Sequence, residues 1–164
     1  MKLRALELRD APYMLEWMHD EGVVGHLNGN FQEKTIEDCY RFINRSQDTE
    51  TDLNLAVADD GDEYMGTVSL KHIQNTTAEF AVAMRSCAMG KGYAAFGMNS
   101  ILKKGIQELG LSAIYWCVSV KNARAVRFYD KNGYHRTQNV PETILNAYTP
   151  EQRNLFIWYV YTEK

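Results

Sequence analysis

Ala83–Gly97, AMRSCAMGKGYAAFG, runs from the end of a strand-like segment into a helix-like one through Gly90 and Gly92, which bracket Lys91. Glycines there let main-chain N–H groups approach an oxyanion, and a helix start leaves its first N–H groups without internal acceptors. Three phosphate motifs compete for the loop. A P-loop requires G-x-x-x-x-G-K-[ST], but Lys91 is followed by Gly92, and Arg85 stands five residues before Gly90. A dinucleotide fingerprint is met at Gly90, Gly92 and Ala95, yet it should follow the first strand, and AIYWCVSV lacks the terminal acid it needs. The third motif seats a pyrophosphate on bare amides, with Ala94 small enough for the first turn to sit against it. A glycine-rich turn with no ligand is the bland alternative.

On the N-terminal side the pattern has period two. DLNLAVA, YMGTVSL and AEFAVAM read as an antiparallel meander, with DDGDE as a turn. Before it, LRALEL reads as a strand and DAPYMLEWMHD as a helix with Asp10 at its cap. GVVGHLNGN reads as irregular. TIEDCYRFINRS reads as a helix opened by a near capping box of Thr35 and Asp38. On the C-terminal side Ala94, Met98, Ile101, Leu102, Ile106 and Leu109 form a helical stripe, with Gly110 as its C-terminal cap. AIYWCVSV follows as a buried strand and NARAVRFYDKNGY as a helix. The strands YHRTQNV and NLFIWYVY close the chain around the connector PETILNAYTPEQ. This order predicts one α+β domain over residues 1–164 with a mixed sheet.

Composition narrows the function. Net charge is −3, which argues against nucleic acid as partner. The longest uncharged run, Leu109–Val120, is far short of the roughly 18 residues of a membrane span. The first ten residues interleave charges and hold no apolar signal core. A cytoplasmic protein without membrane association is expected. Cys39, Cys87 and Cys117 form neither a disulfide framework nor a metal pattern, so reduced thiols and no metal are expected.

MGKGYA, followed 28 residues after Ala94 by NARAVRFYDKNGY, resembles the GNAT superfamily of N-acetyltransferases, and more nearly its bacterial ribosomal-protein and spermidine acetyltransferase branch. Met89–Ala94 aligns with the family's Q/R-x-x-G-x-G/A loop, departing from it at Met89. Asn122, Ala125, Tyr129, Lys131, Gly133 and Tyr134 match N-x-x-[SA]-x-x-x-Y-x-K-x-G-[FY]. The resemblance spans the chain and implies a mostly antiparallel sheet with helices on both faces. It implies acetyl-coenzyme A as donor. The pyrophosphate would lie on the amides of Met89, Gly90, Lys91, Gly92, Tyr93 and Ala94. The pantetheine arm would pair with the main chain of Val82, Ala83 and Met84, and Asn122 would hydrogen-bond that arm or simply cap its helix. The resemblance also allows a homodimer.

Acetyl transfer to an amine needs a neutral nucleophile, a donor for the oxyanion, a proton for the thiolate and proximity. The resemblance makes Tyr129, two turns after Asn122, the general acid; a core tyrosine is the alternative. Glu79, on the pantetheine strand and on the face opposite Phe80, Val82 and Met84, is the candidate base, directly or through water. An exposed strand carboxylate is the alternative, and His72 is a weaker candidate. A non-catalytic acyl-coenzyme A sensor on the same fold is the rival function. For the acceptor (a small amine, an amino sugar or a peptide N-terminus), Trp17, Met18, His26, Phe31, Trp158 and Tyr159 are candidate walls. Glu16, Asp20 and Glu21 either attract a cation or form one solvated helix face.

Overall fold

In the computed structural model, which describes residues 1–27 and 29–163, the period-two runs are strands and the amphipathic runs helices. The order is β1 (Lys2–Ala5), α1 (Ala11–Met18), α2 (Glu21–Val24), α3 (Ile36–Arg45), β2 (Leu53–Ala58), β3 (Tyr64–Gln74), β4 (Thr77–Met84) and α4 (Tyr93–Gln107). There follow β5 (Ala113–Ser119), α5 (Ala123–Lys131), β6 (His135–Arg136), α6 (Glu142–Leu145), α7 (Pro150–Asn154) and β7 (Phe156–Thr162). The strands form one sheet in the order β1-β2-β3-β4-β5-β7-β6. Every neighbouring pair is antiparallel except β4–β5, which is parallel because α4 carries the chain back between them.

Strand alternation divides the apolar residues between two cores. On β2, Val57 joins Val68, Leu70, Met98, Ile101, Leu102 and Trp116 on the α4 side, while its neighbour Ala56 joins Met14, Trp17, Cys39, Ile43 and Tyr64 on the α1–α3 side. Two glycines set the depth of α4. A Cβ on Gly97 would stand 2.6 Å from Val57 Cγ2, and one on Gly105 would stand 2.9 Å from both Leu70 Cδ1 and Ile114 Cδ1.

Several local expectations change. The run expected to be irregular holds α2, capped by Asp20, whose carboxylate accepts from Gly22 N–H at 3.0 Å; Asn28 lies outside the described residues. Asp10 stands at the start of α1 but does not cap it with its side chain. That carboxylate is committed instead to Arg4, at 2.8 and 2.9 Å, and to Glu7 N–H. Thr35 and Asp38 complete the capping box of α3. α4 ends before Gly110, whose φ of +68° lets the chain reverse so that Leu111 N–H bonds Gly105 C=O at 3.0 Å. The late strand is cut to two residues, and the connector after it contains α6 and α7.

Candidate active site

The sheet is split where β4 and β5 meet. They pair only from Thr77 to Glu79 against Ala113 to Tyr115. Beyond Glu79, β4 stays bonded to β3 through Met84–Gly66, and β5 stays bonded to β7 through Ser119–Phe156. The β5-facing edge of Phe80–Met84 therefore has no strand partner, and a ligand carrying amides can pair with it. Val82, Ala83 and Met84 lie on that edge.

The edge leads to the glycine loop. Gly90 and Gly92 have φ of +74° and +88°, which favours glycine at both, and a Cβ on Gly90 would meet nothing within 4 Å. Gly92 is the N-cap of α4 and offers no side-chain cap, so the first-turn N–H groups lack an intrahelical or capping acceptor. Met89, Gly90, Lys91, Gly92 and Ala94 are exposed and Tyr93 is half-buried. The free donors of this cradle suit a pyrophosphate, whereas Met89 N–H is already committed to Ser86 C=O at 3.2 Å. Arg85 fixes the loop's upstream end: buried, it pairs with Glu16 and Glu63, each at 2.7 Å, and lies 4.4 Å over the Tyr13 ring. Its guanidinium is held above its ordinary range, first by the Glu16 hydrogen bond. Across the split, Asn122 accepts from Ala125 N–H at 3.2 Å and so caps α5.

Tyr129 and Glu79 lie on opposite faces of the split sheet. Tyr129 is on the α4 side, tilted against Trp116 at 5.6 Å and Tyr159 at 5.1 Å. Burial pushes its phenol well above the ordinary tyrosine range, so it keeps its proton. Two sealed side-chain polar atoms, Glu79 Oε1 and Trp116 Nε1, have no hydrogen-bond partner among the described residues. Tyr129 is buried, at 8% exposure, and its hydroxyl makes no hydrogen bond among the described residues.

Glu79 is 2% exposed, which overturns the surface-carboxylate alternative. Its Oε2 accepts from the Tyr148 hydroxyl. Its Oε1 faces Lys71 Nζ at 3.7 Å and His72 Nε2 at 3.6 Å. The Cys117 thiol is pushed up to about 12, chiefly by burial and further by the Glu79 charge, and stays protonated. Burial, with Cys117 and Glu79 beside it, likewise raises the Tyr148 phenol.

Sequence reasoning missed Tyr148. It sits between α6 and α7, its ring edge-on to Phe156 at 5.7 Å and Trp158 at 5.3 Å. The available signal was TPEQ, Thr149–Gln152: a capping box with Pro150 in the first turn, which marks a helix start and places Tyr148 just outside it. The expected acceptor walls change as well. Trp17, Met18 and Tyr159 are core residues; Trp17 donates to the Tyr64 hydroxyl at 2.9 Å, and Tyr159 stacks on Trp116. Phe31 is half-buried, edge-on to Trp17, and His26 is exposed. Glu16, Asp20 and Glu21 are each partnered within the chain, by Arg85, Gly22 N–H and Gln32. Among the described residues no group of three or more His, Cys, Asp or Glu is placed to hold a metal, and no helix is long and apolar enough to cross a membrane.

The fold is shared with solved structures. Spermidine N-acetyltransferase from Vibrio cholerae, in complex with coenzyme A and spermine, superposes with a TM-score of 0.80 at 21% identity, covering 98% of this chain and 94% of that one. A chimera of the Vibrio cholerae enzyme gives 0.76 at 21%, covering 99% and 95%. A GNAT-family acetyltransferase from Bacillus anthracis gives 0.76 at 20%, covering 98% and 93%. No curated protein matches the chain. The acetyltransferase (GNAT) domain family matches residues 1–135, and with its split sheet and glycine loop this chain belongs to that family of N-acetyltransferases.

Proposed function

We propose that this protein transfers the acetyl group of acetyl-coenzyme A to a primary amine by direct attack, with both substrates bound together. The observation that carries this reading is the opening between β4 and β5, which begins at Glu79 and leads to the uncapped N-terminus of α4. The amides of Gly90–Ala94 would hold the pyrophosphate, since that of Met89 already bonds Ser86 C=O. Val82, Ala83 and Met84 would pair with the pantetheine arm, and Asn122 would direct its side-chain N–H groups to the same arm. Tyr129, on one face, gives its proton to the departing thiolate. Glu79, on the other, drives removal of the amine's proton. Opposite faces suit opposite roles, because donor and acceptor approach the reacting carbon from different sides. Since Glu79 Oε1 is sealed, that proton reaches the carboxylate's surroundings through a neighbour.

Candidate acceptors are a small amine, an amino sugar or a peptide N-terminus; a solved neighbour of the same fold binds spermine. The test is free-thiol release from acetyl-coenzyme A over an amine panel, with calorimetry of acetyl-coenzyme A binding alongside. Thiol release that needs both an amine and the protein is expected, and Gly92→Arg is expected to abolish binding while the chain stays folded. Tight binding with no release for any amine would instead support the acyl-coenzyme A sensor.

A further inference from the structure

The β3 strand carries an irregularity beside Glu79. The β3–β4 register runs from Gly66–Met84 to Lys71–Glu79, then breaks before Gln74–Thr77. Lys71 stands opposite Glu79, so its side chain shares that face. In a regular strand the next residue, His72, would point to the other face. It does not: His72 has φ of +54°, and its Nε2 lies 3.6 Å from Glu79 Oε1, beside Lys71 Nζ at 3.7 Å. The bulge has turned the imidazole onto the carboxylate. The bent backbone is secured elsewhere, since His72 N–H donates to Asp52 Oδ1 at 3.1 Å and Ile73 N–H to Thr51 C=O at 2.9 Å.

We propose that His72 is the general base that takes the proton from the acceptor amine, with Glu79 as the buried carboxylate that orients its imidazole. This rests on the acetyl-transfer reading and deepens it. Glu79 Oε1 is sealed and lacks a hydrogen-bond partner, so an amine cannot touch it, whereas the His72 side chain is 38% exposed. A carboxylate fixed by a second group, with a solvent-open imidazole beside it, is an arrangement that can orient the imidazole for proton transfer. Tyr148 supplies the fixing contact, on Oε2. In this arrangement Nε2, 3.6 Å from Glu79 Oε1, would carry the proton, and Nδ1 would be left to accept. The amine arrives as an ammonium ion, passes one proton to Nδ1, and attacks the thioester carbon as the neutral amine. As the C–S bond breaks, the nitrogen loses its second proton to solvent, the thiolate takes one from Tyr129, and solvent reprotonates Tyr129. The imidazolium stands against the Glu79 charge until it releases the proton to solvent. The charged or titratable groups around the pair are Lys71, Asp52, Tyr148 and Cys117. Lys71 is the other cation at Oε1, but an ammonium group does not readily release and regain a proton near neutrality, and an imidazole does.

Two measurements on the full chain test the proposal. Side-chain nitrogen NMR of wild type and Glu79→Gln reads the pair without any acceptor. His72 is expected to carry its proton on Nε2, and Glu79→Gln to move the His72 nitrogen shifts while leaving those of His19, His26 and His135 in place. An unmoved His72 overturns the dyad. The second measurement is turnover with acetyl-coenzyme A and spermine, glucosamine or glycylglycine. His72→Gly accepts the positive φ and leaves a hole for a free imidazole. It should lose about 10²-fold in kcat/KM for the amine at unchanged acetyl-coenzyme A affinity, and added imidazole should restore about tenfold or more. An active wild type with a loss below about fivefold in His72→Gly, or with no imidazole rescue, overturns the base assignment while leaving acetyl transfer intact. A wild type that is silent with all three amines removes the acetyl-transfer reading, and the base assignment with it.

Discussion

At the residue scale, two tyrosines touch the proposed chemistry from opposite faces and should respond differently to loss of a hydroxyl. The Tyr129 side chain makes ring contacts, and its hydroxyl makes no hydrogen bond among the described residues. Tyr129→Phe should therefore leave folding and acetyl-coenzyme A affinity nearly unchanged. It should lower kcat by about 10²- to 10⁴-fold if its proton goes to the thiolate. Thiol-release kinetics and calorimetry check this, and a loss under about fivefold would make Tyr129 a packing residue. Tyr148 donates to Glu79 Oε2. Tyr148→Phe leaves both oxygens of a buried carboxylate without hydrogen bonds, at a cost of about 1–3 kcal/mol seen in denaturant unfolding. It should also slow turnover. The first tyrosine was legible because it sits inside a spaced motif. The second was not, because its partner is 69 residues away and no local pattern encodes that contact.

At the scale of elements, α4 joins the loop to the sheet, and its glycines do two different jobs. Gly92 has a positive φ, while a Cβ there would stand 3.6 Å from Met1 Cε, an ordinary contact. Gly92→Ala should thus cost about 1–2 kcal/mol through backbone strain alone, and it should weaken acetyl-coenzyme A binding. Gly97 is helical, and its missing Cβ is the gap into which Val57 and Val68 pack. Gly97→Ala gains about 1 kcal/mol of helix propensity but overpacks the core at about 1–3 kcal/mol, so a net loss is expected. Adding Val57→Ala should recover part of it, and a double-mutant cycle in urea measures that coupling. The glycine loop and the α5 cap were readable from spacing. The role of Gly97 was not, since a glycine within a helical stripe gives no sign of what faces it.

At the scale of the whole molecule, buried phenols couple stability to alkaline pH. Burial raises Tyr64 and Tyr129 above their ordinary value of 10.0 in the folded chain. Below pH 10 both states hold these protons and the folded state keeps its full advantage. Above it the unfolded chain releases them and the folded chain does not, so stability falls as pH rises until the folded phenols themselves titrate. Each such group adds about 1.4 kcal/mol per pH unit to the slope, and the buried Tyr148 phenol adds its own share. Guanidinium unfolding between pH 9 and about 11.5 checks the slope, and Tyr129→Phe should reduce it by about 1.4 kcal/mol per pH unit. A flat profile would mean that these phenols titrate normally in the folded chain.

Read alone, the sequence determined the α+β class, the three-strand meander, the glycine loop ahead of α4 and the Asn122–Tyr129 helix. Each rests on local chemistry: alternation, capping, a positive φ, residue spacing within one element. Tertiary structure decided what those elements enclose. It sealed Glu79 in the sheet, brought Tyr148 from a connector onto it, turned His72 across a broken register, and moved Trp17, Met18 and Tyr159 into the cores. These outcomes depend on which strands pair and where pairing stops. Neither is encoded in a single segment, because a strand's pattern shows which face is apolar and not which neighbour lies beside it.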